Sequence, residues 1–220
     1  MSFLSLLNEK LNEHHLLTHC FYKAWNKGEL SKTTLQTYAQ EYYHHVAAFP
    51  RYLSAIHSHC ADLETRQILL DNLIEEEQGE ENHPELWQRF VEGLGVKRSD
   101  ISAAPRLKET QALVEGYFDL VKADFATGLG ALYAYERQTP EVSKSKIEGL
   151  KTFYGISDNR SLQFFTVHME VDEWHSAECG ALLEKLDDRN KTKAAEGAEQ
   201  GAKLLWSFLD GMMDQHSEIN

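Results

Sequence analysis

Within residues 164–176, FFTVHMEVDEWHS, a histidine, an aspartate and a second histidine follow one another at steps of four and three: His168, Asp172 and His175. At about 100° per residue, a helix would set Asp172 roughly 40° to one side of His168 and His175 about 20° to the other. All three then point one way over two turns, while Glu170 and Glu173 fall off that line and read as flanking or solvent residues. Imidazole, carboxylate and imidazole on one face are suitable ligands for Fe, Mn or Zn. The bland reading is an amphipathic helix whose polar face happens to hold two histidines, but such faces favour Lys and Glu over this mixture.

A second cluster lies in LIEEEQGEENHPELW. Glu76 and His83 are seven residues apart, so a continuous helix would align them within about 20°. Glu80 also aligns moderately with His83, and Glu75, Glu77 and Glu81 belong to the same acidic run, which by itself reads as a solvated face. Spacing does not select among them. A third candidate, Glu136, follows the small and apolar stretch GLGALYAY, where an acid beside a buried face needs a cation or hydrogen-bond donors. Together these segments supply three carboxylates and three histidines, an inventory for a two-metal centre with ions about 3.5–4 Å apart. Ferritin-like centres use two Glu-x-x-His motifs on helices of one bundle, whereas the inventory assembled here combines Glu76, Glu136 and Asp172 with His83, His168 and His175 at other spacings, which disfavours that arrangement.

The rest of the chain must supply elements that hold such a centre. Its 220 residues suit one domain, 1–220, and its 42% hydrophobic content allows a sizeable core. The formal charge of −13 argues against nucleic-acid binding. No apolar run approaches the roughly 20 residues of a membrane span. The opening segment, MSFLSLLNEKLNEHH, lacks a basic region and cleavage site, so no signal peptide is expected. Cys20, Cys60 and Cys179 are odd in number and far apart, which predicts packed thiols in a reducing, cytoplasmic setting.

Patterning is helical throughout, with no alternating β-branched runs. Phe3, Leu6, Leu7 and Leu11 recur at helical spacing. Ser31 opens a second helix carrying Leu35, Tyr38, Tyr42 and Val46, which Pro50 should kink or end. Residues 62–78 read as a third helix with Leu63, Leu70 and Leu73 on its apolar side. Pro84 to Leu94 suits a short helix closed by Gly95, and 96–106 is the best loop candidate. Helical patterning resumes over 108–138, again to about 153, and over 160–186. Residues 187–220 predict a C-terminal helix that packs on the body through Leu204, Leu205, Phe208, Leu209 and Met212. The class is all-α, a bundle of about seven helices. His44 and His45 point about 100° apart and read as residues behind the site or at the surface. His14 and His15 read as solvent-facing.

The phrases FYKAWNKGEL, YAQEYYHHVAAFPRYLSAIHSHC, LLDNLIEEE, LYAYERQ and KSKIEGL, in this order with His-x3-Asp-x2-His, resemble the family of the Chlamydia protein associating with death domains (CADD) and its bacterial relatives. These are heme-oxygenase-like diiron oxidases and oxygenases, and the resemblance covers residues 1–186, with the tail looser. It implies a heme-oxygenase-like helical bundle and a ligand set of Glu76, His83, Glu136, His168, Asp172 and His175, holding Fe2 or Mn/Fe. It also implies synthesis of p-aminobenzoate for folate with O2 and a reductant, Tyr22 as the sacrificed side chain, Lys146 as amino donor and Tyr38 as a further tyrosine of the site. A homodimer, and an electron donor as partner, follow from the same resemblance. Composition alone would read Tyr22 and Tyr38 as core and Lys146 as solvated.

Two other functions compete. The same metal site could oxidise an external small amine or acid, with repeated turnover and no loss of Tyr22. A non-catalytic interaction module is suggested only by the family's name. The chain shows no recognisable death-domain-binding surface, so a partner of that type is not expected.

Overall fold

A computed structural model describes residues 2–103 and 107–219; the side chains of residues 102, 103, 170–173 and 216–219, and with them the expected ligand Asp172, lie outside the described part. The described residues form helices and no strand: α1 (Phe3–Leu11), two 3-10 turns (Asn12–His14 and Leu16–Thr18), α2 (Cys20–Trp25), α3 (Lys32–His59), α4 (Leu63–Glu77), α5 (His83–Gly93), α6 (Arg98–Ala103), α7 (Lys108–Ala123), α8 (Phe125–Glu136), α9 (Thr139–Phe153), α10 (Asn159–Glu184) and α11 (Asp188–Ile219). The all-α bundle that the periodicity predicts is present, divided more finely than into seven helices.

Local chemistry sets most of the boundaries. Ser31, Asp62, Asn82, Asp124 and Asp158 each accept a backbone N–H from the first turn of the following helix. Asp124, in extended conformation, therefore divides the expected 108–138 helix into α7 and α8. Gly95 closes α5 with a φ of +85°, as expected. The expected loop at 96–106 holds the short helix α6 instead. Pro50 does not end the second helix; α3 continues through it to His59. Phe49, Tyr52, Leu53 and Ile56 are all buried around it, and their packing outweighs the hydrogen bond that proline removes.

Of the expected apolar side of α4, Leu73 is half-buried against the core, but the other two leucines are not. Leu63, Leu70 and Ile74 are exposed, while Leu69, Asn72 and Glu76 are buried. A helix that turns leucines to solvent in order to carry Asn72 and Glu76 inward is organised around a polar interior.

The core is continuous from Leu7 to Met212, and α8 is its central rod, buried on every side from Gly128 to Glu136. α11 packs along α8, with further contacts to α7. The small residues of GLGALYAY and of AAEGAEQGA make this approach possible. A Cβ at Gly130 would lie 1.9 Å from the Ala194 carbonyl oxygen, and one at Gly197 would lie 2.2 Å from that of Thr127. Both obstacles are backbone, so the helices must separate to admit a methyl group. Gly130→Ala is expected to destabilise the protein by about 1–3 kcal/mol despite alanine's better helix propensity. A thermal melt several degrees below wild type checks this, and an unchanged melt would contradict so close a crossing.

Candidate metal centre

Four helices bring the expected ligands together. α4 supplies Glu76 from its last turn, α5 supplies His83 as its first residue, α8 supplies Glu136 from its end, and α10 supplies His168 and His175. All five side chains are buried.

Glu76 and His83 do not share a helix, so the alignment argument from seven-residue spacing fails in its premise. α4 stops at Glu77, and the chain turns through residues 78–82, with Gly79 at a φ of +83°, before Asn82 caps α5. The turn nevertheless brings Glu76 Oε2 to 2.8 Å from His83 Nδ1. It leaves Glu80 and Glu81 at the surface, where Glu81 pairs with Arg89. At this distance the Glu76 carboxylate and the His83 imidazole form a buried pair. Burial works to lower the His83 pKa, but the Glu76 carboxylate outweighs it and holds the group above its usual value.

His168 donates from Nδ1 to the Phe164 carbonyl at 2.6 Å, since a carbonyl can only accept. Its proton is thereby fixed on Nδ1, and Nε2 keeps a lone pair. Burial, then the neighbouring His83, holds His168 well below the usual histidine pKa, as a neutral ligand requires. Ligand atoms of Glu76, His83 and His168 lie within 4.8 Å of one another. His175 Nε2 lies 3.2 Å from Glu75 Oε2.

Glu136 is held by residues that the sequence reading missed. Asn72 Nδ2 donates to its Oε1 at 2.7 Å, and Cys179 Sγ donates to its Oε2 at 3.2 Å. Asn72 lies four residues before Glu76 on α4, and Cys179 four after His175 on α10. That step, applied to polar residues on a ligand-bearing face, was the available signal. Burial first raises Glu136 to about 7, opposed by those two donors. A carboxylate so placed gains from a cation, and Asn72 Oδ1 beside it is buried without a hydrogen-bond partner. Two acids with three imidazoles thus fit a metal on their own chemistry.

Beside this cluster lies a closed aromatic chamber. Tyr22 on α2 and Tyr38 on α3 are buried, with their hydroxyl oxygens 3.1 Å apart. Lys146 on α9 is buried too, which overturns the solvated reading of its lysine-rich helix; its Nζ lies 5.2–5.6 Å from the ring centres of Tyr22, Tyr38, Tyr42, Trp87 and Phe165. The chamber and the metal cluster share a wall, because Trp87 packs on Phe164 at 4.8 Å and Phe164 on His168 at 4.1 Å. Among the remaining histidines, His45 is fully buried rather than superficial, and burial drops it to about 3. His14 and His15 are partly buried; His14 packs on Trp206 and His15 lies 3.5 Å from Glu141. Cys20 is exposed, whereas Cys60 and Cys179 are buried as expected. His19, which the sequence reading passed over, accepts the Phe21 N–H on Nδ1 and donates from Nε2 to Asp210 at 3.0 Å, fastening the short Tyr22-bearing helix to α11.

The space left between Tyr22, Tyr42, Tyr135, Lys146 and Phe164 has room for about one water molecule. A larger groove lies between α1 and α11, and none of the metal-centre or chamber residues lines it.

Residues 36–206 match the model of a family described as iron-containing redox enzyme. The chain is 42% identical over 215 residues to a 4-aminobenzoate synthase of Chlamydia trachomatis, covering 97% of this chain and 93% of that one. It is 37% identical over 227 residues to a 4-aminobenzoate synthase of Nitrosomonas europaea, covering 98% and 92%. Among solved structures, a TenA homologue of Pseudomonas syringae superposes with a TM-score of 0.83 at 17% identity, covering 96% of this chain and 93% of that chain. A CADD-like protein of Nostoc punctiforme superposes at 0.75 and 18% identity, covering 96% and 97%. These two show the fold, which is heme-oxygenase-like. The chain belongs to the iron-containing redox enzymes, and the 4-aminobenzoate synthases are relatives similar to it over nearly their whole length.

Burial lowers Lys146 to about 7. The folded protein therefore binds fewer protons than the unfolded chain between about pH 7 and the ordinary lysine value, and wild-type stability gains as pH rises through that window. Lys146→Met removes the buried ammonium. Its melting temperature should exceed wild type by several degrees at pH 6, with the gap closing as pH rises; a pH-independent difference in melting would show that Lys146 is not buried in charged form.

Proposed function

We propose that this protein is an O2-dependent dimetal oxidase that makes p-aminobenzoate by consuming the side chain of its own Tyr22, with Lys146 as the amino donor. The observation that carries the reading is the chamber: Tyr22, Tyr38 and Lys146 meet beside the metal cluster, and the space left there has room for about one water molecule and not for an external aromatic ring. The similarity to relatives named 4-aminobenzoate synthase supports the same product.

Glu76, His83, Glu136, His168, Asp172 and His175 would hold the two ions, Fe2 or Mn/Fe, which when bound and reduced supply oxidising power from O2. The chain's own residues set everything else. Burial raises the pKa of both tyrosines above its ordinary value, so each phenol keeps its proton at neutral pH. The Tyr38 hydroxyl fixes the Tyr22 hydroxyl by their hydrogen bond. A Lys146 pKa near 7 leaves part of the amine unprotonated, with the lone pair that an amino donor needs. The surrounding rings keep water from competing with it.

The net conversion balances. Cleavage of the Tyr22 Cα–Cβ bond with one O2 turns Cβ into a carboxylic acid and leaves a hydrogen on Cα. Exchange of the phenolic oxygen for the Lys146 nitrogen is redox-neutral and leaves the oxygen on the lysine carbon.

With Fe(II), reductant and O2, wild-type protein should release p-aminobenzoate, and Tyr22→Phe should release none while still binding metal. Lys146→Arg should lose the product nitrogen. Wild-type yield from Tyr22→Phe would transfer the site to an external substrate.

A further inference from the structure

An aromatic acid made in the chamber has to leave a space with room for about one further water molecule, so one wall must move. Most of the walls belong to long helices of the core: Tyr42 stands on α3, Lys146 on α9 and Phe164 on α10. Leu16 does not. It lies in the 3-10 turn Leu16–Thr18, part of the strap that joins α1 to α2. Between residues 12 and 18 it is the one buried side chain, 5% exposed, while its neighbours are exposed or half-buried. A single leucine of a surface strap thus plugs the chamber.

The strap's backbone bonds are local. His15 donates its N–H to the Asn12 carbonyl, Thr18 to that of His15 and His19 to that of Leu16, which keeps each turn intact without tying it to the body. The tie at the plug is one bond: Leu16 N–H donates to Gln138 Oε1 at 3.0 Å. Gln138 is buried, lines the same chamber, and donates from Nε2 to the Ala134 carbonyl at 3.0 Å. The ends of the strap are held separately. Arg137 Nη2 donates to Asn12 Oδ1 at 2.7 Å, and His19 is fastened to Asp210 at 3.0 Å. A three-residue turn with one buried side chain costs far less to lift than a turn of a core helix.

We propose that Leu16 is the plug of the chamber and Gln138 its latch: residues 12–18 lift between their fastened ends, Leu16 leaves the wall, and a molecule the size of p-aminobenzoate passes. That the cargo is p-aminobenzoate rests on the proposed consumption of Tyr22; the opening rests on the geometry of the strap. Both are positioning residues, since they govern access and take no part in bond making. Lifting the turn exposes the Leu16 N–H and the Gln138 carbonyl to water, so the latch is worth no more than the net value of one hydrogen bond. Tyr22 stays in place during the opening, because its helix is fastened by His19 and its hydroxyl by Tyr38.

The test is the rate at which cyanate carbamoylates Lys146 in metal-free protein, read by peptide mass spectrometry with exposed Lys23 as the internal reference. Isocyanic acid adds to the unprotonated amine, its carbon joining the lysine nitrogen and the amine proton passing to its own nitrogen. The rate therefore reports access to Lys146 and needs neither metal nor O2. Leu16→Ala is expected to label about tenfold faster than wild type. Gln138→Met keeps the volume but loses the acceptor, and should label about fivefold faster. Leu16→Met should stay at the wild-type rate. Val121→Ala truncates a buried residue of α7 that does not line the chamber, and should also stay there. Wild-type labelling of Lys146 in Gln138→Met would overturn the proposal even if Leu16→Ala does not fold. Equal acceleration by Val121→Ala would reduce the effect to global unfolding and overturn it too. In metal-loaded protein given reductant and O2, Gln138→Met should shorten the delay between loss of the Tyr22 side chain and the appearance of free p-aminobenzoate. An unchanged delay would place the exit elsewhere. A wild-type protein that releases no p-aminobenzoate would remove the self-consuming reading and leave the labelling result standing.

Discussion

Glu136 stands at the end of a helix with no exposed side, and most of the fold can be understood as the means of keeping a carboxylate there. An isolated buried acid is costly, so the interior must supply donors or a cation. Asn72 and Cys179 provide donors from two neighbouring helices, and the imidazoles of His83, His168 and His175 gather near by. α4 gives up the burial of Leu63, Leu70 and Ile74 to carry its polar face inward. The glycines of α8 and α11 let the two helices approach until backbone meets backbone, which seals the opposite side of the rod. A metal ion is the natural completion of this arrangement, because it converts buried acids and neutral imidazoles from a strain on stability into ligands.

The same dryness governs the chamber beside it. Lys146 among five aromatic rings is kept near neutrality by burial, and Tyr22 and Tyr38 are kept protonated by burial. In water a lysine amine and a phenol would be solvated and far apart in reactivity. The proposed self-consuming chemistry uses their confinement: the ring that is to become product already occupies its site, so no binding step and no open pocket are required. The fastening of α2 by His19 to Asp210 makes that confinement a property of the folded chain.

Much of this was legible in the sequence, for reasons that differ by residue. His168 and His175 lie on one long helix, where spacing alone reports direction, and the structure bears out their shared inward face. Glu76 and His83 meet for another reason, since a turn at Gly79 separates their helices and angular arithmetic does not apply across it. Only the resemblance to a known family distinguished Glu76 from its acidic neighbours. Helix starts were readable wherever a side chain caps them, as at Ser31. The course of α3 through Pro50 was not, because distant packing decides it. Asn72, Cys179 and the burial of Lys146 escaped because each is a tertiary fact: residues of ordinary type become distinctive only when another helix covers them.

The central claim is that Tyr22 is both part of the protein and the source of the product. Protein containing tyrosine labelled with 13C in the ring and at Cβ, stripped of metal, loaded with Fe(II) and exposed to reductant and O2, should release p-aminobenzoate carrying the whole label. Mass spectrometry of the peptide spanning Tyr22 should show the matching loss of that side chain in the same molar amount. Unlabelled p-aminobenzoate, or consumption of O2 with the Tyr22 peptide intact, would contradict the account and assign the metal centre to an external substrate.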